Sequence, residues 1–264
     1  LAYSVIDEVA VTDNKIFALS NHSLFSIDKQ SEEIEYYSRL TGLNSAVIDH
    51  LYYNPLLNYL LLCYQNGQLD IIDAKDDVHN ISDLYLKQSN ISKRINDIQI
   101  HQTKAFMAMD FGVICLDMKK MEVEDTYYIG EQSEEVQVNY LTIFGDSLYA
   151  ASHQYLYSAH LNDNLMDYAY WRTSTLPGGN ALQGMCAHEG SICVIRDSVL
   201  WSRQETGWKK HESTYALRGF CQTDHNLFAL INNHYGTLEV QPDFSLAMSI
   251  PYGYIHDIAS DGSK

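Results

Sequence analysis

The side chains best placed to do chemistry in this sequence are carboxylates that return in one local pattern. Asp7, Asp49, Asp97 and Asp257 each sit inside a short apolar run: VIDEVAV, VIDHLYY, INDIQI and IHDIAS. Four carboxylates brought to one place would hold a cation or a polar ligand. Each could instead accept hydrogen bonds from neighbouring backbone N–H groups, as an Asx motif does. The second role is the expected one. Tyr140, Gly184 and Gly219 stand at the same position in three further runs and would leave any acidic ring incomplete.

Other reactive residue types are present without the spacing their chemistry needs. Asp110-Phe111-Gly112 spells the magnesium-binding tripeptide of phosphoryl-transfer enzymes, yet no HRD, Gly-rich loop after a strand or Val-Ala-Ile-Lys accompanies it. The tripeptide is expected in a hairpin turn. Eleven histidines are scattered, with His22, His153, His188, His225 and His234 in turn-like segments and no His-x-His or HExxH pair, so no metal site is expected. Five cysteines, Cys63, Cys115, Cys186, Cys193 and Cys221, show no CxxC spacing. Four of them lie in apolar runs and should be buried thiols acting as small hydrophobes; a Cys186–Cys221 disulfide is conceivable but not favoured. Gly178-Gly179 follows Pro177 in a turn and leads into no helix, so it is no phosphate cradle. Neither a Ser/His/Asp nucleophile arrangement nor paired carboxylates facing one cleft can be placed, and no catalytic residue or cofactor is expected.

The elements that must position these residues come from a repeat. The stretch RINDIQIHQTKAFMAMDFGVICLDMKKMEVEDTYYIG reads as four strand-length apolar runs separated by polar or Gly-containing breaks, a four-stranded antiparallel meander. Similar units start near residues 5, 47, 95, 138, 182, 217 and 255, a period of roughly 40 residues, as in propeller blades. Loops such as TDNK, FGDS, HEGS and TDHN between the first two runs carry the Asp, Asn and Gly that tight hairpin turns demand. Runs that stay apolar through several residues predict sheets buried on both faces. The expected fold is all-β: one β-propeller domain over residues 1–264, with six complete blades and the start of a seventh. The fourth strands of the second and fourth blades are placed at DLYLK and DYAYW. A larger ring cut short is the preferred account of the seventh start, with the chain read as a trimmed part of a longer protein. In a propeller the first strands line the central channel, which would put the recurring aspartates near its mouth.

Composition narrows the partners. With 17 Lys plus Arg against 34 Asp plus Glu the formal net charge is −17, and no basic cluster offsets it, so nucleic acid is not an expected partner. No apolar run is long enough to span a membrane. Twenty tyrosines, clustered at Tyr36-Tyr37, Tyr52-Tyr53, Tyr127-Tyr128 and Tyr168-Ala169-Tyr170-Trp171, could offer stacking surfaces for glycans or proteins, or simply fill outer strands.

Three segments carry a family resemblance: TGLNSAVIDHLYYNPLLNYLLLCYQNGQLDIID (Thr41 to Asp73), the stretch from Ile95 to Gly130, and FGDSLYAASHQYLYSA (Phe144 to Ala159). Together they resemble the N-terminal β-propeller of the PorZ-like proteins of Bacteroidetes, accessory proteins of the type IX secretion system. The resemblance implies a non-enzymatic protein of the outer surface or periplasm, with two propellers and a C-terminal domain. It would act beside the surface sortase as a protein- or glycan-interaction scaffold in secretion and cargo attachment. Propeller ectodomains of hybrid two-component sensors are the alternative, implying a glycan-sensing role. Their Leu-Trp-Ile-Gly-Thr strand is replaced here by IFALS, YLLLCY, AFMAMD, LYAAS, ICVIR and LFALI.

Overall fold

In the computed structural model the described residues are 5–45, 47–86, 92–223, 226–232, 236–250 and 255–260. They form six four-stranded antiparallel sheets, each a meander in chain order, the pattern of six propeller blades. Blade one is Glu8–Val11, Lys15–Ser20, Ser23–Asp28 and Ile34–Tyr36; blade two is Ile48–Asn54, Tyr59–Tyr64, Leu69–Ile72 and Val78–Ile81. Blade three is Ile95–His101, Lys104–Met109, Gly112–Asp117 and Glu122–Tyr127, and blade four is Tyr140–Phe144, Ser147–Ala151, Tyr155–His160 and Arg172–Thr175. Blade five is Leu182–His188, Ser191–Arg196, Val199–Gln204 and Gly207–His211; blade six is Leu217–Gln222, Leu227–Ile231, Thr237–Val240 and Leu246–Ile250.

Two fourth strands differ from the sequence reading. In blade two, Asp73 accepts the N–H groups of Lys75 and Asp77, and this tight turn sends Val78–Ile81 back along Leu69–Ile72. Asp83–Leu86, expected as the strand, is a single helical turn. In blade four, Asp167 accepts the N–H of Ala169 and the Trp171 indole donates to the Leu165 carbonyl. That closes Tyr168–Tyr170 into a 3-10 turn, and the β-branched run Arg172–Thr175 becomes the strand.

Contacts divide the chain into two compact units, Leu1–Asp110 with Ile114–Asp125 and His256–Lys264, and Phe111–Val113 with Thr126–Ile255. In the first unit Phe17, Leu19 and Leu24 of blade one interleave with Ile48, Leu60, Leu62 and Tyr64 of blade two. In the second, Cys186, Cys193, Ile195 and Leu200 of blade five pack on Leu217, Leu227, Ala229 and Ile231 of blade six, and Leu156 of blade four meets Val194 of blade five. Second and third strands are buried on both faces, as in Gly112–Asp117, while the outer strand Ile34–Tyr36 is exposed throughout. This burial on both faces is what the unbroken apolar runs require.

Asp110 and Phe111 form the two-residue turn expected of DFG, and Gly112 follows at φ +150°. The start of the seventh repeat, Ile255–Ser260, carries no strand, and its turn DGS lies outside the described residues. His225 and His234 also lie outside them.

Candidate functional site

The first strands of blades two and three hold Asp49 and Asp97, Asp7 immediately precedes that of blade one, and a β-bulge near the strand start decides which side chains are equivalent. Pairing to the second strand skips one residue between Ile48 and His50, Leu182 and Gly184, and Leu217 and Gly219. In blade three Asp97 pairs with Ala108 and Ile95 with Met109, which leaves Asn96 as the extra residue. Glu8 pairs with Leu19, His50 with Cys63 and Asp97 with Ala108, each partner being the penultimate residue of its second strand. Asp97 is therefore the counterpart of Glu8 and His50. The counterpart of Asp7 and Asp49 is Asn96.

The two positions do different work. The bulge residue reaches the loop between strands two and three of its own blade. Asp7 accepts the N–H of Asn21 at 3.0 Å, Asp49 accepts the Gln65 amide at 3.2 Å, and Asn96 donates to Asp110 at 2.9 Å. In blade five Gln183 accepts the Ser198 N–H at 2.6 Å. Asp or Asn early in the first strand is thus a loop pin.

The next position reaches across to the following first strand. Glu8 accepts the Leu51 N–H at 2.7 Å and meets His50 Nδ1 at 2.6 Å. Asp257 accepts the Val9 N–H at 3.0 Å, and its second oxygen takes the N–H of Ile258 at 2.8 Å. Asp97 makes the same local contact, with Ile98 N–H at 2.9 Å. Asp257 therefore matches Asp97 and Glu8 in geometry, and it ties Ile255–Ser260 to blade one.

The first unit thereby gathers Glu8, Asp49, His50, Tyr52, Asp97 and Asp257 around the first strands of blades one to three. Burial disfavours the imidazolium of His50, but the hydrogen bond and charge of Glu8, with Asp49 and Asp97 behind, raise its pKa above the ordinary histidine value. The phenol of Tyr52 is pushed well up by burial, then by Asp97, Glu8, Cys63 and Asp257. This is an acidic setting with one imidazole as its counter-charge. Among the described residues no three His, Cys, Asp or Glu side chains are placed to hold a metal ion.

A pH dependence follows. A His whose pKa rises on folding contributes stability that is full below its unfolded value, about 6.5, and is lost as pH rises through the folded value. Denaturant midpoints should therefore fall from mildly acid to mildly alkaline pH. Glu8→Gln should flatten this slope and cost about 1 kcal/mol at the acid end, discounted for partial exposure. An unchanged slope in Glu8→Gln would refute the pairing.

Sequence reasoning missed Glu8 and His50, although both immediately follow the aspartates of VIDEV and VIDHL. It also missed Asp70, fully buried in blade two, and Arg196 of blade five, 2% exposed. Arg196 donates to the carbonyls of His153 and Gly179 at 2.6 and 2.5 Å, and Asp197 takes the N–H groups of Asn180 and Ala181. Together they staple the Gly178-Gly179 loop down.

The family described as TSS9, PorZ, N-terminal beta-propeller domain matches residues 16–172, more than half of the chain. No curated protein matches. Among solved structures, PorZ, described as an essential bacterial surface component of the type-IX secretion system of Porphyromonas gingivalis, superposes with TM-score 0.84 at 22% identity, over 97% of this chain and 34% of that one. The extracellular domain assigned to the one component system BT4673 of B. thetaiotaomicron superposes with TM-score 0.68 at 10% identity, over 96% of this chain and 37% of that one. That of the hybrid two component system BT3049 gives TM-score 0.68 at 12% identity, covering 96% and 36%. The chain thus spans about a third of the length of these three proteins. The six antiparallel blades are those of a β-propeller, and the chain belongs to the PorZ N-terminal β-propeller family.

Proposed function

We propose that this propeller is a non-enzymatic scaffold on the extracytoplasmic side of the envelope, at the outer-membrane surface or in the periplasm. There it would serve type IX secretion and cargo attachment by holding protein partners. The observation that carries this reading is the family match over residues 16–172. The surface role printed for the P. gingivalis relative supports it. No helix among the described residues is long and apolar enough to cross a membrane.

In this reading Asp7, Asp49, Asp97 and Asp257 hold loops and neighbouring strands in place, and partners meet the exposed turns instead. Leu40 is 99% exposed, Leu56 67% and Tyr170 46%, each on a turn outside the strands. A glycan-sensing role is the second reading, favoured by the two sensor ectodomains that share the fold over 96% of the chain.

Photo-crosslinking separates the two. With a photoreactive residue at Leu40, Leu56 or Tyr170 of the full-length protein in intact cells, the scaffold reading expects adducts with proteins of the secretion and attachment machinery. Adducts confined to glycan, or to a sensor's own signalling partner, would contradict it.

A further inference from the structure

We propose that Cys186 and Cys193 form a cross-strand disulfide site within the first hairpin of blade five. The two residues are paired directly across that hairpin. Its two-residue loop, Glu189-Gly190, has φ of +44° and +72°, the left-handed pair of a type I′ turn. In such a turn the flanking residues, His188 and Ser191, form a hydrogen-bonded pair. Hydrogen-bonded and non-bonded pairs then alternate, which makes Cys186 and Cys193 a hydrogen-bonded pair with Cα atoms about 5.5 Å apart. That Cα separation lies within the range disulfides adopt, and because a hydrogen-bonded pair holds its Cβ atoms farther apart than a non-bonded one, closing the bond twists the hairpin locally. As direct cross-strand partners the two side chains stand on the same face of the sheet, where both are buried free thiols.

The surroundings suit the bond. Cys186 is 6% exposed and Cys193 0%, among Ile195, Leu200, Leu217 and Ala229, so a disulfide replaces two thiols without burying a new polar group. Cys221 occupies the matching position in blade six, but its strand partner is Phe228. Register therefore selects Cys193 over Cys221 as the mate of Cys186.

The chemistry needs an oxidant of the disulfide class. One cysteine thiolate attacks glutathione disulfide, releasing one glutathione thiolate and leaving a mixed disulfide. The second cysteine then attacks that bond, releasing the second glutathione. Two protein thiols are oxidised and one glutathione disulfide is reduced to two glutathiones. Burial raises the Cys186 thiol well above its usual value, so the folded, reduced pair is a poor nucleophile. Hairpin closure takes microseconds and thiol–disulfide exchange seconds to hours, so the bond forms in chains whose blade-five hairpin has closed and whose blade six has not yet covered the pair.

The test is oxidative refolding of the full chain with reduced and oxidised glutathione, followed by alkylation of remaining thiols and cleavage after Glu189. The expected result is a peptide ending at Glu189 joined to one beginning at Gly190, lighter by two hydrogens than the separate thiols. Cys193→Ser should abolish the linkage. The same peptides from protein exported to an oxidising periplasm and alkylated before lysis provide a readout independent of refolding yield. Alkylation of both cysteines in the folded product, or linkage of Cys186 to Cys221, would overturn the proposal. The outcome does not depend on the secretion reading.

Discussion

Asp70→Ala is expected to lower unfolding free energy by about 2–4 kcal/mol, with the denaturant midpoint falling and the slope unchanged. Asp70 is fully buried in the third strand of blade two. One carboxylate oxygen receives the Tyr64 hydroxyl at 2.5 Å and the Asn44 N–H at 2.8 Å. The other receives the side-chain amides of Asn44 and Asn80, each at 2.8 Å. Alanine would take the acceptor from the buried Tyr64 hydroxyl and from the Asn44 N–H, each at the desolvation cost of an unmade bond, while the amides of half-buried Asn44 and exposed Asn80 keep the carbonyls of Leu69 and Gly42. Burial, followed by Asp70, pushes the Tyr64 phenol far above the usual range, so the phenol remains a donor at any working pH. Asp70→Asn should recover part of the loss, because its amide oxygen still serves one side of the network. A loss below about 1 kcal/mol for Asp70→Ala would mean that water replaces the carboxylate and that the network contributes little.

Gly112→Ala should cost about 3–5 kcal/mol or prevent folding, a far larger effect than most Gly→Ala changes. Gly112 sits at φ +150°, where L side chains are rarely found, and an added Cβ would lie 2.2 Å from the Tyr127 carbonyl oxygen. That oxygen belongs to the backbone of the fourth strand in the same blade, so no rotamer change relieves the collision. Gly145 is the control. It has φ +58°, but nothing lies within 4 Å of its added Cβ. Gly145→Ala should cost only the left-handed penalty, about 1–2 kcal/mol. Equal melting shifts for the two variants would refute the steric account.

These two residues mark the boundary between what the sequence discloses and what it hides. The glycine of DFG is legible, because a Gly after a two-residue break between apolar runs has one common explanation. Asp70 is not, because a charged residue inside QLDIID gives no hint that Asn44 and Asn80 will converge on it from 26 and 10 residues away. The blade period, the first hairpins and most strands follow from apolar runs and turn residues. Fourth strands are harder, since an outer strand is half exposed and loses the apolar signature. That is how the aromatic Tyr168–Tyr170 and the apolar Asp83–Leu86 came to resemble strands more than Arg172–Thr175 or Val78–Ile81 do.

The candidate site shows the same limit. Reading down VID, VID, IND and IHD aligns four aspartates, but a bulge adds one residue without leaving a mark in the pattern. The residue it adds is Asp49 in blade two and Asn96 in blade three, so Asp97 stands in register with Glu8 and His50 and not with Asp49. Asp7, Asp97 and Asp257 each accept a backbone N–H, and Asp49 accepts the Gln65 side-chain amide. The Glu8–His50 pair joins residues 42 positions apart, a contact that only the packing of two first strands creates.

The secretion reading is tested most directly in the source bacterium. The encoding gene is deleted, and surface attachment of secreted cargo is measured by protease treatment of intact cells. The account predicts that cargo is lost from the surface and returns when the wild-type gene is restored. Normal cargo attachment in the deletion strain would contradict it.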